Sequence, residues 1–262
     1  MKKLILTLAV LSAPFMFAQE NFDDLLKKAQ KGDATAQYEV GSHFILEKKD
    51  YKTAIEWYEK AAKKGNIKAQ ETLGILYENG QGIPQNYPEA ISWYTKAAQK
   101  GSTKSQYNLG NLYYSSEGVA QDYKKAVDWY TKAAEQGYAD AQNDLAFMYY
   151  NGYGVPKNNE KVVYWATKAA EQGTATAQHN LGYFYSKGEI VTKDYEKAIY
   201  WYTKAAEQDY VLSQYELGLL YGMGEGVPLD YAKSIQWLEK AASKGHMESI
   251  ELLEKIKKVV EK

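Results

Sequence analysis

The sequence of 262 residues has no cysteine, only five prolines and, beyond its first eighteen residues, no long apolar run. The lack of cysteine excludes a disulfide framework, a thiolate zinc site and a cysteine nucleophile. Basic and acidic side chains number 32 and 33, so the net charge is −1. The chain therefore lacks the excess of positive charge that is typical of a nucleic-acid-binding protein. An apolar share of 45% is still normal for a chain with a hydrophobic core.

Residues 1–18 have the features of a secretory signal peptide. Two lysines precede an apolar run from Leu4 to Ala18, which Pro14 interrupts, and polar residues return at Gln19. The run is shorter than the roughly 20 residues that span a bilayer. We therefore expect cleavage after Ala18 and export to the periplasm or the medium. The mature chain should then have no integral membrane segment.

The rest of the chain repeats. All six tryptophans lie 36 residues apart, at Trp57, Trp93, Trp129, Trp165, Trp201 and Trp237. Each is followed by an alanine pair and then by glycine, except that Asp209 replaces one glycine. A second anchor is a small residue followed by glutamine, at Ala36-Gln37, Ala69-Gln70, Ser105-Gln106, Ala141-Gln142, Ala177-Gln178 and Ser213-Gln214. A period in the thirties is typical of a solenoid.

Each unit has the pattern of two helices. Offsets 0, 1, 4, 5 and 8 of helix A, counted from the small anchor residue, carry Ala or Ser, Gln, Leu or Val, Gly and usually Tyr, which form one stripe. The stripe of helix B contains the tryptophan, and we expect Trp129→Ala to hollow the stack at a cost of about 3–5 kcal/mol. No run alternates with period two. The sequence predicts an all-α fold, an α-α superhelix formed as a right-handed solenoid of helix-turn-helix repeats.

The repeats divide the mature chain. Residues 19–32 form an N-terminal half-repeat or cap helix, and residues 246–262 form a C-terminal capping helix. Between them we expect six repeats, at 33–65, 66–101, 102–137, 138–173, 174–209 and 210–245. Stacking of neighbours buries stripes that one helix pair cannot bury alone.

The consensus of these units resembles the Sel1-like repeats, relatives of the tetratricopeptide repeats. It reads Ala-x-Ala-Gln-x-x-Leu-Gly-x-x-Tyr, then Gly-x-Gly-Val/Ile-Pro, then Tyr-x-x-Ala-x-x-Trp-Tyr-x-Lys-Ala-Ala-x-x-Gly. The resemblance implies an α-solenoid for scaffolding or adaptor binding, in bacteria often with an envelope or host-facing role, and no shared catalytic residues. A cysteine-rich secreted branch of that family is labelled as β-lactamase, which leaves a hydrolase as an alternative. The Ser-x-x-Lys, Ser-Asp-Asn and Lys-Thr-Gly motifs of such enzymes are absent.

The residues themselves indicate no catalysis, cofactor or metal. His43, His179 and His246 lie in different repeats, with no second histidine at metal-ligand spacing. Nucleophile elbows, phosphate-binding loops and dinucleotide fingerprints are missing as well. The lysine that follows each tryptophan is interpreted as part of a solvated face. We therefore expect a protein that is not an enzyme.

Offsets 2, 6 and 9 of helix A lie off the packing stripe and vary between repeats. They are rich in tyrosine and asparagine, which suit recognition of a peptide backbone. Our hypothesis is a concave groove that binds another protein or an extended peptide segment, formed by Tyr38, Tyr107, Asn111, Tyr114, Asn143, Phe147, Tyr150, His179, Tyr183 and Tyr215. Three alternatives remain open: these rings cover helix packing, the groove binds a cell-envelope glycan, or the protein is a structural spacer.

Overall fold

The structure is a computed structural model that describes residues 22–115 and 118–260. The predicted signal peptide, residues 1–18, lies outside the described residues. All regular structure within the described ranges is helical, and successive helices pack as pairs in a repeat solenoid. The predicted all-α solenoid is therefore confirmed.

The described residues form two compact units, which divide between Ala97 and Ala98. The first contains α1 (Phe22–Gln30), α2 (Ala34–Lys48), α3 (Tyr51–Lys63), α4 (Ile67–Asn79) and most of α5 (Tyr87–Gln99). The second contains α6 (Thr103–Ser115), α7 (Tyr123–Glu135), α8 (Ala139–Asn151), α9 (Asn159–Glu171), α10 (Ala175–Lys187), α11 (Tyr195–Glu207), α12 (Val211–Met223), α13 (Tyr231–Ser243) and α14 (Met247–Val260). From α2 to α13, even-numbered helices are the A helices and odd-numbered helices are the B helices.

The helix ends follow from local sequence. Most B helices begin after an Asp or Asn whose side chain accepts a hydrogen bond from a backbone N–H three residues later, and these caps are Asp50, Asp122, Asn158, Asp194 and Asp230. B helices end in a left-handed residue that is usually glycine. Asp209 replaces that glycine and still has φ of 67°. Its carboxylate pairs with Lys244 at 2.8 Å, which holds the turn in place.

The two helices of a repeat meet where a glycine faces an aromatic ring. A Cβ atom on Gly110 of α6 would overlap the ring of Tyr130 on α7. The same contact joins Gly41 to Tyr58, Gly74 to Tyr94 and Gly182 to Tyr202, while Gly218 meets Leu238. The fourth repeat has Ala146 and Ala166 at these two positions, both buried. A larger residue on one helix is thus matched by a smaller residue on the other.

Five of the six tryptophans contribute less to the core than the sequence suggested, since they are only half-buried, whereas Trp93 is 8% exposed. Trp129 is half-buried, whereas the next residue, Tyr130, is 2% exposed. The expectation that Trp129 fills the middle of the stack is therefore corrected, because the close approach to glycine brings Tyr130 inward. Lys132 lies over the Trp129 ring, with Nζ 4.0 Å from its centroid. Equivalent lysines cover three more tryptophans, Trp57, Trp93 and Trp237, at 3.8–4.2 Å. These lysines form cation–π contacts as well as a solvated face.

Glutamine side chains connect successive repeats. The glutamine of each A-helix anchor donates from Nε2 to a carbonyl eight residues earlier, near the end of the preceding B helix, over 2.9–3.2 Å. The six acceptors are the carbonyls of Ala29, Ala62, Ala98, Ala134, Ala170 and Ala206. Carbonyls at a helix end lack a partner within the helix. Each A helix therefore completes the hydrogen bonding of the helix before it.

Candidate binding surface

Side chains on the A helices of the second unit link these helices into one surface. Tyr107 Oη of α6 donates to Asp144 Oδ2 of α8 over 3.0 Å. Asn180 Nδ2 of α10 lies 3.5 Å from Asn143 Oδ1 of α8, at the limit of a hydrogen bond. These bonds join positions off the packing stripe, at offsets 2 and 3, of neighbouring A helices. Neighbouring A helices therefore present their variable positions together.

Tyr38 is the one predicted groove residue in the first unit, and the structure places it in the core. Its side chain is 7% exposed, and its ring centroid lies 5.4 Å from that of Tyr58. Tyr38 is therefore a packing residue, in agreement with the alternative that some of these rings cover helix contacts.

The offset-2 rings of the second unit also pack. Tyr107 lies 5.0 Å from Tyr138, and His179 lies 5.1 Å from Tyr210, between ring centroids. Tyr215 contacts His246 in the same manner at 5.0 Å. In each pair the second ring stands just before the next A helix or the terminal helix α14. These rings therefore fill the space between successive repeats.

Burial changes the ionisation of two of these side chains. It raises the pKa of the Tyr107 hydroxyl, and the nearby carboxylate of Asp144 acts in the same direction. It lowers the pKa of His179 to about 4. His179 is therefore neutral at physiological pH, and its Nδ1 lies 2.9 Å from Ser213 Oγ. A neutral buried histidine with a hydroxyl partner is consistent with a structural role.

The predicted asparagines are held by hydrogen bonds. Asn111 Oδ1 accepts from the hydroxyl of Tyr130 over 2.7 Å. Asn143 Nδ2 donates to Asp144 Oδ1 over 3.2 Å. Both asparagines are half-buried, so part of each amide remains open to solvent. Fixed amides of this kind lose little freedom when they bind a peptide backbone.

The most accessible predicted residue is Phe147, which is 44% exposed. Its ring lies 6.4 Å from that of Tyr114 on α6. Tyr150 of α8 packs 5.5 Å from Phe184 of α10, and Tyr183 lies beside Phe184 at 6.1 Å. We call the accessible part of this surface the A-face, and it consists of Asn111, Tyr114, Asn143, Phe147, Tyr150 and Tyr183.

Sequence reasoning missed Asp144, at offset 3 of the fourth repeat. Burial raises the pKa of its carboxyl, hydrogen bonds from Tyr107 and Asn143 oppose that shift, and Asp140 adds to it. At about 100° per residue, offset 3 lies about 60° from offset 6, as close as offset 9 does. This angle was a signal that could have placed Asp144 on the candidate surface.

Within residues 22–115 and 118–260, no group of three or more His, Asp or Glu side chains is arranged to hold a metal ion. None of the helices in these ranges combines the length and apolar character that crossing a bilayer requires.

Comparison with protein families gives a match along most of the chain. The Sel1 repeat model matches residues 34–66, 67–102, 103–138, 139–174, 175–210 and 211–246. The chain is similar to c5321, described as a protective antigen of uropathogenic Escherichia coli strains that displays an SLR fold. That match has a TM-score of 0.87 and 36% identity, over 89% of this chain and 51% of the antigen.

Two other relatives extend the comparison. A Sel1 repeat protein from Oxalobacter formigenes has a TM-score of 0.69 and 32% identity, over 84% of this chain and 94% of that chain. The plant protein HRD3A of Arabidopsis thaliana, described as an ERAD-associated E3 ubiquitin-protein ligase component, is 36% identical over 67 residues. That match covers 24% of this chain. The chain spans only 10% of HRD3A and about half of the antigen.

Proposed function

The chain belongs to the Sel1 repeat family, and from that membership we propose that it is a non-catalytic adaptor that binds another protein through the A-face. The observation that carries the proposal is an exposed aromatic surface held in place by a polar network. Phe147 is 44% exposed, while Asn111 and Asn143 beside it are already oriented by hydrogen bonds.

The relatives support a role in assemblies. Sel1 repeats typically bind proteins, and HRD3A is named as one component of a larger ligase. A repeat surface is extended, because neighbouring units add contact area along the stack. An extended surface suits a flexible protein segment better than a small molecule.

The chemistry of the A-face fits such a segment. Tyrosine and phenylalanine rings provide large contact areas with few rotatable bonds. The amides of Asn111 and Asn143 can exchange hydrogen bonds with a peptide backbone. Tyr107, His179 and Tyr215 act indirectly in this proposal, since they pack between repeats and keep the helices in register.

Capture of a partner from a cell-envelope fraction tests the proposal. The full chain is compared with a triple variant, Phe147→Ala, Tyr150→Ala and Tyr183→Ala, and with the single variant Phe147→Ala. The matched control is Tyr164→Ala with Tyr200→Ala, because these rings are 54% and 53% exposed but lie on the B helices. Circular dichroism melting verifies that each variant is folded.

We expect the control to retain a specific protein that the triple variant loses, with partial loss for Phe147→Ala. Equal capture by all variants would show that the A-face does not bind the partner. Capture of glycan-rich material without protein would instead favour the carbohydrate-binding alternative, in which the same rings stack on sugars.

Export is part of the proposal. Cleavage after Ala18 would give a mature chain that begins at Gln19. N-terminal sequencing of protein recovered from the envelope or the medium tests this expectation. Recovery of the protein in the cytoplasmic fraction with Met1 intact would exclude it.

A further inference from the structure

Four aromatic rings of the second unit form one cluster at the edge of the A-face. Tyr114 lies 5.6 Å from Tyr123 and 6.4 Å from Phe147, between ring centroids. Tyr153 stacks on Tyr123 at 4.8 Å with an interplanar angle of 11°, and lies 6.0 Å from Phe147. We call these four side chains the ring cluster. Three segments contribute to it: α6, the start of α7, and α8 with the turn that follows it.

Among the described residues, several aromatic side chains have a lysine over the ring, whereas the ring cluster has no cation of its own. Lys48 lies over both Phe22 and Phe44, and Lys132 lies over Trp129. The same arrangement covers Tyr113 and Tyr149 with lysines. In the described part of the chain, no such lysine contact falls on Tyr114, Tyr123, Phe147 or Tyr153. The faces of these rings are therefore not occupied by an internal cation.

A carboxylate stands beside the ring cluster. Asp144 lies three residues before Phe147 on α8, so the two side chains share one side of the helix. The pKa of Tyr114 is raised by burial first, then by Tyr123, Tyr153 and the charge of Asp144. The shared side of α8 and the contact between Phe147 and Tyr114 place this carboxylate at the same edge of the surface as the ring cluster.

Among the described residues, the carboxylate of Asp144 has hydrogen-bond donors but no positive partner. Tyr107 donates to Oδ2 and Asn143 to Oδ1, so each oxygen keeps a further acceptor position. None of the influences on its ionisation comes from a lysine. By contrast, Glu216 at the same repeat position of α12 is stabilised in its charged form by Lys187. Asp144 is therefore a partly desolvated negative charge that an external cation would complement.

We infer that the ring cluster and Asp144 form a binding site for an arginine side chain of the protein segment that occupies the A-face. The inference rests on the proposed function and names one residue type of its partner. A guanidinium group stacks on aromatic faces and pairs with a carboxylate through two parallel hydrogen bonds. Lysine carries a point charge without the planar face, so it would make neither the stacking contact nor the two parallel hydrogen bonds.

The test is a titration of the full chain, labelled with 4-fluorophenylalanine, followed by fluorine NMR. The resonance of Phe147 is assigned by its loss in Phe147→Leu. The probes are the peptide acetyl-Gly-Ser-Arg-Ser-Gly-amide and the same peptide with citrulline, which replaces the guanidinium by a neutral group of equal shape. We expect the arginine peptide to shift the Phe147 resonance saturably, with the citrulline peptide at least about tenfold weaker.

Two matched variants locate the site. Asp144→Asn keeps an acceptor for Tyr107 but removes the charge, and should weaken the arginine peptide by about tenfold. Glu216→Gln removes a desolvated carboxylate from the equivalent position and should leave affinity unchanged. Equal affinity for the two peptides would overturn the inference, and so would an unaltered affinity of Asp144→Asn. A shift of Phe147 by an oligosaccharide and not by the arginine peptide would overturn it too.

The capture experiment separates this inference from the proposed function. If Asp144→Asn retains a partner that the triple A-face variant loses, only the arginine site is wrong. If both variants retain it, the A-face itself is not the binding surface.

Discussion

The third and fourth repeats fill the contact between helix A and helix B with opposite pairs of residues. In the third, Gly110 makes room for Tyr130, and in the fourth Ala146 meets Ala166. The difference extends outward, because the Tyr130 hydroxyl needs a partner and finds it in Asn111. Without such a hydroxyl in the fourth repeat, the position equivalent to Asn111 is Phe147.

Core tyrosines of other repeats also find a hydroxyl partner on helix A. The buried hydroxyls of Tyr58 and Tyr202 lie within 3.1–3.2 Å of the hydroxyls of Ser42 and Ser186. In the sixth repeat, where Leu238 replaces the tyrosine, the residue at offset 6 is Leu219. The core tyrosine hydroxyl thus meets a polar residue of helix A, at offset 6 in the first and third repeats and at offset 9 in the second and fifth. In the fourth repeat Ala166 brings no hydroxyl, and the exposed ring of Phe147 occupies offset 6.

Removal of Tyr130 should have the largest effect on this comparison. Tyr130→Ala leaves a cavity against Gly110 and should lower the free energy of unfolding by about 3–5 kcal/mol. Urea denaturation monitored by circular dichroism measures the change. Ala166→Gly is the control in the fourth repeat and should cost about 1 kcal/mol or less. A loss below that of the control would show that Tyr130 does not support the stack.

Addition of a methyl group on the facing helix should have the next largest effect. Gly110→Ala forces the new Cβ into the Tyr130 ring and should cost about 1–3 kcal/mol, despite the better helix propensity of alanine. Thermal unfolding measures this loss. Gly110 lies inside α6 without a positive φ, so this loss reports the overlap, whereas Gly137→Ala at φ of 87° meets no atom within 4 Å and reports backbone strain alone. Stabilisation by Gly110→Ala would contradict the close contact.

The double variant Gly110→Ala with Tyr130→Ala gives the third repeat the residue pair of the fourth. The alanine methyl fills part of the space left by the ring, so the double variant should lose about 1–2 kcal/mol less than the two single losses combined. A double-mutant cycle by urea denaturation measures this coupling. Strict additivity would mean that the fourth repeat depends on compensation elsewhere.

The tryptophan beside Tyr130 should matter less than Tyr130 itself. Trp129 is half-buried, and Lys132 lies over its ring. Trp129→Ala should therefore lower the free energy of unfolding by about 1–2 kcal/mol. The measurement is the same urea titration, with Tyr130→Ala as reference. A loss equal to that of Tyr130→Ala would show that Trp129 contributes as much to the core as Tyr130.

The smallest effect concerns pH and the offset-2 position, which is Asn143 in the fourth repeat and His179 in the fifth. Burial lowers the pKa of His179 to about 4, below the ordinary value near 6.5. Between these values the unfolded chain binds more protons than the folded chain. Stability from neutral His179 is therefore complete above about pH 6.5 and falls as the pH decreases toward about 4, by less than about 1 kcal/mol at pH 6.

His179→Asn should remove this component of the pH dependence. The difference in unfolding free energy between wild type and variant should change between pH 7 and pH 5. A constant difference would show that His179 titrates normally.

The architecture could be predicted from the sequence because the key residues of the repeat recur at constant spacings. The 36-residue interval of the tryptophans and the glycine after each alanine pair predicted helix pairs and their ends. The sequence was not sufficient to choose between Trp129 and Tyr130. Neighbouring residues differ by about 100° around a helix, and the close contact with Gly110 sets the rotation.

The same limit applies to the candidate surface. Tyr107 and His179 were grouped with Phe147, but offset 2 lies near the border between the packed and open sides of the helix. Rings from the following repeat, Tyr138 and Tyr210, cover that border. Asp144 has no counterpart of the same type in neighbouring repeats, so its place in the surface depended on tertiary hydrogen bonds.

The glutamine bonds between repeats have a consequence for how such chains change in length. Each Nε2 reaches a carbonyl eight residues earlier, in the helix of the preceding repeat. After a duplication or deletion of 36 residues, each glutamine therefore still lies eight residues after an equivalent carbonyl. No helix end inside the array loses the hydrogen bond that its carbonyl accepts. Genes encoding such proteins can gain or lose whole repeats by recombination without first acquiring compensating substitutions. Because the bond spans only eight residues, it is also kept around the shorter first repeat, where Gln37 and Gln70 are 33 residues apart.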